Sequence, residues 1–179
     1  MTQSPTLPPE QLRWWSVYLN NHLSGAVAGA QLAQRLADGL SGEPLQGEAR
    51  RLAREIAQDR DSLRGLMERL GVARRPLYAC LGWAVERGGR LKPNGRLLRR
   101  SPLTSLVECE AMRTGVEAKR QMWRALDAAR LPEPDGTTVR ELEERAAAQA
   151  AALENVHRHL AEALGRHPDQ VGLAHAGRA

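Results

Sequence analysis

Phenylalanine is absent from this 179-residue chain, and tryptophan and tyrosine together supply only six residues. Leu and Ala must therefore fill any core, helped by Trp15, Trp83 and Trp123. Cysteine is nearly absent too. Cys80 and Cys109 lie far apart with no metal-type spacing, which excludes a disulfide scaffold or a cysteine-based zinc site and leaves two reduced, apolar fillers. Lysine occurs twice against 24 arginines, a ratio that fits codon usage in a GC-rich genome. No apolar run approaches the length of a bilayer span, and no charged-then-apolar segment opens the chain. A bacterial-type cytoplasmic protein without membrane insertion is the expectation. The chain also lacks a phosphate-cradling Gly-x-x-x-x-Gly-Lys-Ser/Thr loop, a Gly-x-Gly-x-x-Gly turn and a Gly-x-Ser-x-Gly elbow, so no catalytic residue is assigned.

What remains is helical. A proline inside a helix forfeits a hydrogen bond and clashes with the preceding turn, so prolines collect at first turns and linkers. Here they stand at 5, 8, 9, 44, 76, 93, 102, 132, 134 and 168, with helix-length stretches between them. Ser101-Pro102 reads as an N-cap followed by a first-turn proline, and Thr138 with Glu141 as a capping box. Gly42, Gly71 and Gly165 each follow a leucine-rich stretch, where a left-handed C-cap is expected. The expected helices are 9–40, 45–70, 76–88, 102–130 and 138–165. They leave residues 1–8 as an N-terminal extension, 9–165 as one helical-bundle domain and 166–179 as a loose tail.

Apolar residues recur at gaps of three and four along each long helix, which places them on one face. The first stripe runs Leu12, Trp15, Leu19, His22, Ala26, Gly29, Ala33, Leu36 and Leu40. The second runs Leu45, Ala49, Leu52, Ile56, Asp59, Leu63, Leu66 and Leu70. In the third, Leu106, Cys109, Met112, Val116, Trp123 and Leu126 compete with a second set containing Glu110 and Glu117. The fourth buries Val139, Leu142, Ala146, Leu153, Leu160 and Leu164, with Val156 or His157 between. Each helix thus places a polar residue on or near its inward stripe: His22, Asp59, Glu110 and His157. Counted from the bend near residue 42, His22 and Asp59 are offset by about 5 Å at 1.5 Å rise per residue, nearly one level. Glu110 and His157 stand 24 and 23 residues from the bend near 134. Buried charges of this kind pair with each other or hold an ion. The simpler pairing is His22 with Asp59 and Glu110 with His157.

Two helical hairpins joined by a long crossover, with Glu154 and His157 in "ENVH" on the last helix and Glu110 on the third, resemble the ferritin-like superfamily over residues 9–165. In that family a carboxylate on helix one, Glu-x-x-His on helix two, Glu on helix three and Glu-x-x-His on helix four point inward and hold two metal ions. The resemblance implies an all-α, ferritin-like four-helix bundle with a long crossover carrying a short extra helix. Its candidate ligands are His22, Glu55, Asp59, Glu110, Glu154 and His157, and iron or manganese would suit them. The departures are on the first two helices. "EIAQD" has Gln58 where the family has His, and the first helix offers His22 but no acidic residue in its middle.

The crossover is the other candidate site. Residues 71–101 carry eight basic residues against Glu86 alone, a net +7, whereas the whole chain is +5. Arg87, Arg90, Lys92, Arg96, Arg99 and Arg100 could hold a polyanion such as phosphate or nucleic acid. The ordinary alternative is a solvated segment whose arginines pair with carboxylates on the bundle. The sequence reading is therefore a non-catalytic scaffold or interaction protein of ferritin-like type, with no cofactor, self-associating or binding a protein partner. The alternatives are a metal-binding or di-iron oxidoreductase and a polyanion binder.

Overall fold

A computed structural model describes residues 7–75, 102–134 and 136–165. Four helices make up an all-α four-helix bundle, with no strand among the described residues: α1 (Pro9–Gly39), α2 (Gln46–Arg69), α3 (Pro102–Ala128) and α4 (Val139–Gly165). Each boundary falls within two residues of the sequence expectation. The expected helix 76–88, the tail from 166 and most of the N-terminal extension lie outside the described residues.

The ends follow local chemistry. Pro9 begins α1, where its missing N–H is no loss. α2 closes with a Schellman pair: Val72 N–H donates to Met67 O at 2.8 Å and Gly71 N–H to Glu68 O at 3.1 Å. Gly71 takes φ +66°, which only glycine adopts without a Cβ penalty. α3 ends in the same way, with Leu131 N–H on Leu126 O and Arg130 N–H on Asp127 O, but the left-handed position is held by Arg130 at φ 52°. The capping box of α4 forms as expected: Thr138 N–H donates to Glu141 Oε2 at 2.8 Å, and Glu141 N–H donates to Thr138 Oγ1 at 3.2 Å. Gly165, expected as a C-cap, is instead the last residue of α4.

α1 pairs with α2 and α3 with α4 as antiparallel hairpins. α1 also packs on α3 and α2 on α4, which leaves α1/α4 and α2/α3 as the diagonals. The core falls into two apolar clusters. One joins Ala33–Leu40, Ala49–Ile56, Cys109–Val116 and Ala146–Leu160. The other joins Leu19, Leu23, Leu63–Val72, Met122–Leu131, Val139 and Leu142. The first half of α2 thus shares a cluster with the first half of α3, so these diagonal helices run parallel. α2 ends at one end of the bundle and α3 begins at the other.

Between the clusters the stripe is broken at one level. On α2 the break falls between Ile56 and Leu63, on α3 between Val116 and Met122, and on α4 beside Ala146. The inward residues in those gaps, Asp59, Lys119 and Gln149, are polar.

Candidate functional site

Asp59 lies in the α2 gap with its side chain wholly buried. An isolated buried carboxylate would cost several kcal/mol, so its partners decide whether the bundle folds. Oδ2 accepts from the Lys119 ammonium on α3 and from Gln149 Nε2 on α4, the latter at 3.1 Å. The Arg145 guanidinium on α4 faces Oδ1 as an ion pair, without an aligned hydrogen bond to that oxygen. Lys119 also donates to Gln149 Oε1, and Gln149 Nε2 reaches Glu55 Oε2 at 3.4 Å. Asp59 thus meets both cations directly, and Gln149 links Asp59 and Lys119 to Glu55. The layer ties α2 to its diagonal neighbour α3 and to its packing neighbour α4.

Burial pulls the Lys119 ammonium below its ordinary pKa, and the adjacent Arg145 lowers it further, while Asp59 and Glu55 pull it back up. The Lys119 side chain is 13 % exposed, which leaves little water to share its charge.

The remaining candidates from the sequence fall elsewhere. Glu110 Oε1 and His157 Nε2 stand 3.1 Å apart across α3 and α4, as the level argument expects, but Glu110 is exposed rather than inward and Val156 takes the buried place on α4. Glu154 is ion-paired with Arg113 rather than joining them. Glu110, Arg113 and His157 flank an open groove of about 540 Å³ that Cys109, Thr114, Glu117 and Gln121 also line. Cys109 donates to Leu153 O at 3.4 Å, and burial pushes its thiol up to about 12. A thiol in that state is no nucleophile at neutral pH.

His22 does not reach Asp59. Its ring packs on Tyr18 of the same helix, with centroids 4.6 Å apart and planes at 61°, and burial lowers its pKa. The proposed pairing of His22 with Asp59 gives way to ammonium and guanidinium partners, which hold a buried anion more strongly than a neutral imidazole. The six candidate ligands are thus dispersed: Glu55 and Asp59 in the central layer, Glu110 and His157 at the groove, Glu154 paired with Arg113, and His22 on α1. Among the described residues, no three His, Cys, Asp or Glu side chains converge in a metal-holding geometry. The basic set Arg87, Arg90, Lys92, Arg96, Arg99 and Arg100 lies outside the described residues. Of the flanking arginines, Arg74 is spent on Glu68 at 3.0 Å, and the backbone N–H of Arg75 donates to Asn20.

Sequence reasoning missed Lys119, Arg145 and Gln149. Two of them had a signal. The α3 stripe steps from Val116 to Trp123 and the α4 stripe from Ala146 to Leu153, and the vacant inward positions are Lys119 and Gln149. Both stand 15 residues from Pro134, so they share a level. Comparison with protein-family models, curated proteins and solved structures returns no match to this chain. No helix among the described residues is long and apolar enough to cross a membrane.

Proposed function

We propose that this protein is a non-catalytic helical scaffold of ferritin-like arrangement, in which a layer of the chain's own ions fills the middle of the bundle. The observation that carries this reading is the engagement of both Asp59 oxygens, by Lys119 and Gln149 on one side and Arg145 on the other. In a bundle built to hold metal, inward carboxylates keep oxygens free for the ion. Here the cations that balance Asp59 are side chains, and they come from both helices of the second hairpin. The two antiparallel hairpins and the parallel α2/α3 diagonal support the ferritin-like part of the proposal.

A layer of this kind suits a structural role. Replacing it with apolar residues would bury more hydrophobic surface, yet a polar layer fixes one register and one helix order. The competing reading is a metal-binding or di-iron oxidoreductase using iron or manganese, and its remaining foothold is the Glu110–His157 pair beside Glu154. Elemental analysis of the full chain, purified without a metal-affinity tag and incubated anaerobically with ferrous iron, separates the two. The scaffold reading expects no stoichiometric metal. About two ions per chain, lost on His157→Ala, would favour the metal-binding reading instead and direct the next assay to oxygen or peroxide.

A further inference from the structure

From Trp14 to Gln34, α1 carries no Asp, Glu, Lys or Arg, whereas the longest such stretch on the other three helices is the eight residues Ala146–Leu153. Its outward stripe is Trp14, Val17, Asn21, Gly25, Ala28 and, half-buried, Leu32. Trp14 is 66 % and Val17 49 % exposed, the largest apolar exposure on this helix. Gly25 and Gly29 lower helix propensity, yet nothing lies within 4 Å of where their Cβ atoms would stand. Packing within the described residues therefore does not require them.

We propose that this face of α1 pairs antiparallel with the same face of a second copy of the chain. The proposal rests on the scaffold reading and deepens it by naming the partner. The stripe is self-complementary about a twofold axis level with Leu23. That axis sets Trp14 against Leu32 and Asn21 against Gly25, and brings Val17 level with Gly29, one residue from Ala28. Small residues at the centre let the two helix axes approach, and the indole at each end covers the partner's leucine. A face without charges meets no like-charge repulsion when it pairs with itself. A charged partner would gain no ion pair there.

The area sets the strength. The 21-residue span is about 30 Å long and about 10 Å wide, so α1 alone covers on the order of 300 Å² per copy. Stable dimers bury roughly 800 Å² per partner, so this pairing is weak and concentration-dependent.

Sedimentation equilibrium of the full chain from about 1 to about 500 µM tests it, with Ala28→Glu and Gly25→Leu alongside. The wild type is expected to pass from its monomer mass of 19.7 kDa toward twice that value. Both variants are expected to weaken the dimer about tenfold or more. Gly25→Leu is accommodated in the monomer by the open space at that position, and a circular dichroism melt checks that each variant folds. A wild type that stays monomeric leaves the face to another occupant and overturns the proposal, as does a dimer that both variants leave unchanged. Neither result bears on the metal analysis, so failure here is distinguishable from failure of the scaffold reading.

Discussion

Replacing Lys119 with Met removes the ammonium and leaves the Asp59 carboxylate buried with Gln149 and an imperfectly aligned Arg145. Breaking a buried pair by deleting one partner costs about 3–5 kcal/mol. Arg145 still faces Oδ1, so the expected loss is at the lower end, about 3 kcal/mol. Asp59→Leu alone strands Lys119 between Gln149 and Arg145, where burial already opposes its charge, at a similar cost. The double variant strands neither. Leu and Met fill the gap between the two apolar clusters, Arg145, 30 % exposed, can turn its guanidinium to water, and Gln149 keeps Glu55. The double variant should therefore lie within about 1 kcal/mol of wild type, a coupling of several kcal/mol. Urea unfolding reads this directly. With a slope of about 2 kcal/mol/M, each single variant shifts the midpoint down by roughly 1.5 M and the double variant by less than about 0.5 M. Single effects that add to within about 0.5 kcal/mol would show that Asp59 and Lys119 do not depend on each other, and the account of the central layer would fail.

Other consequences can be checked with the same unfolding assay or a thiol probe. Because the folded Lys119 pKa lies below its unfolded value, the unfolded chain holds more protons between the two values, so wild-type stability should rise with pH there relative to Lys119→Met. A flat difference across pH 8 to about 10.5 would contradict the burial of that ammonium. Arg130→Gly should raise stability by about 1 kcal/mol, since it relieves the left-handed backbone at the end of α3, and no gain would mean the cap is unstrained. In a Cys80→Ser background, Cys109 should react with a disulfide reagent at pH 8 at least about a hundredfold more slowly than in urea-unfolded chain. Equal rates would show the thiol to be open to solvent.

Much of this fold is legible in the residues, and the limits of that legibility are physical. Prolines, the Thr138–Glu141 box and Gly71 act within one turn, so they mark the helix ends without help from the rest of the chain. Arg130 escaped because nothing local distinguishes an arginine forced into a left-handed cap from one on a helix. Counting residues from a bend sets the level of facing side chains, and it placed Glu110 opposite His157 correctly. The same count sets Gly25 rather than His22 opposite Asp59. Asp59 was visible as a charge on an apolar stripe. Its partners required knowing that α2 faces α4 and that α3 lies across the diagonal, which no single-helix pattern contains. Arg145 sits at the edge of its stripe, and only packing reveals that its guanidinium turns inward.

The central claim is that the Lys119 ammonium is held inside the bundle by Asp59, and the sequence makes it directly observable because Lys92 is the only other lysine. Selective nitrogen-15 labelling of lysine gives two ammonium signals whose pH titration can be followed by NMR. The account expects one signal to be protected from solvent exchange, to titrate below the ordinary lysine value of about 10.4, and to move in Asp59→Asn. Two freely exchanging signals that titrate together near that value, neither affected by Asp59→Asn, would contradict it.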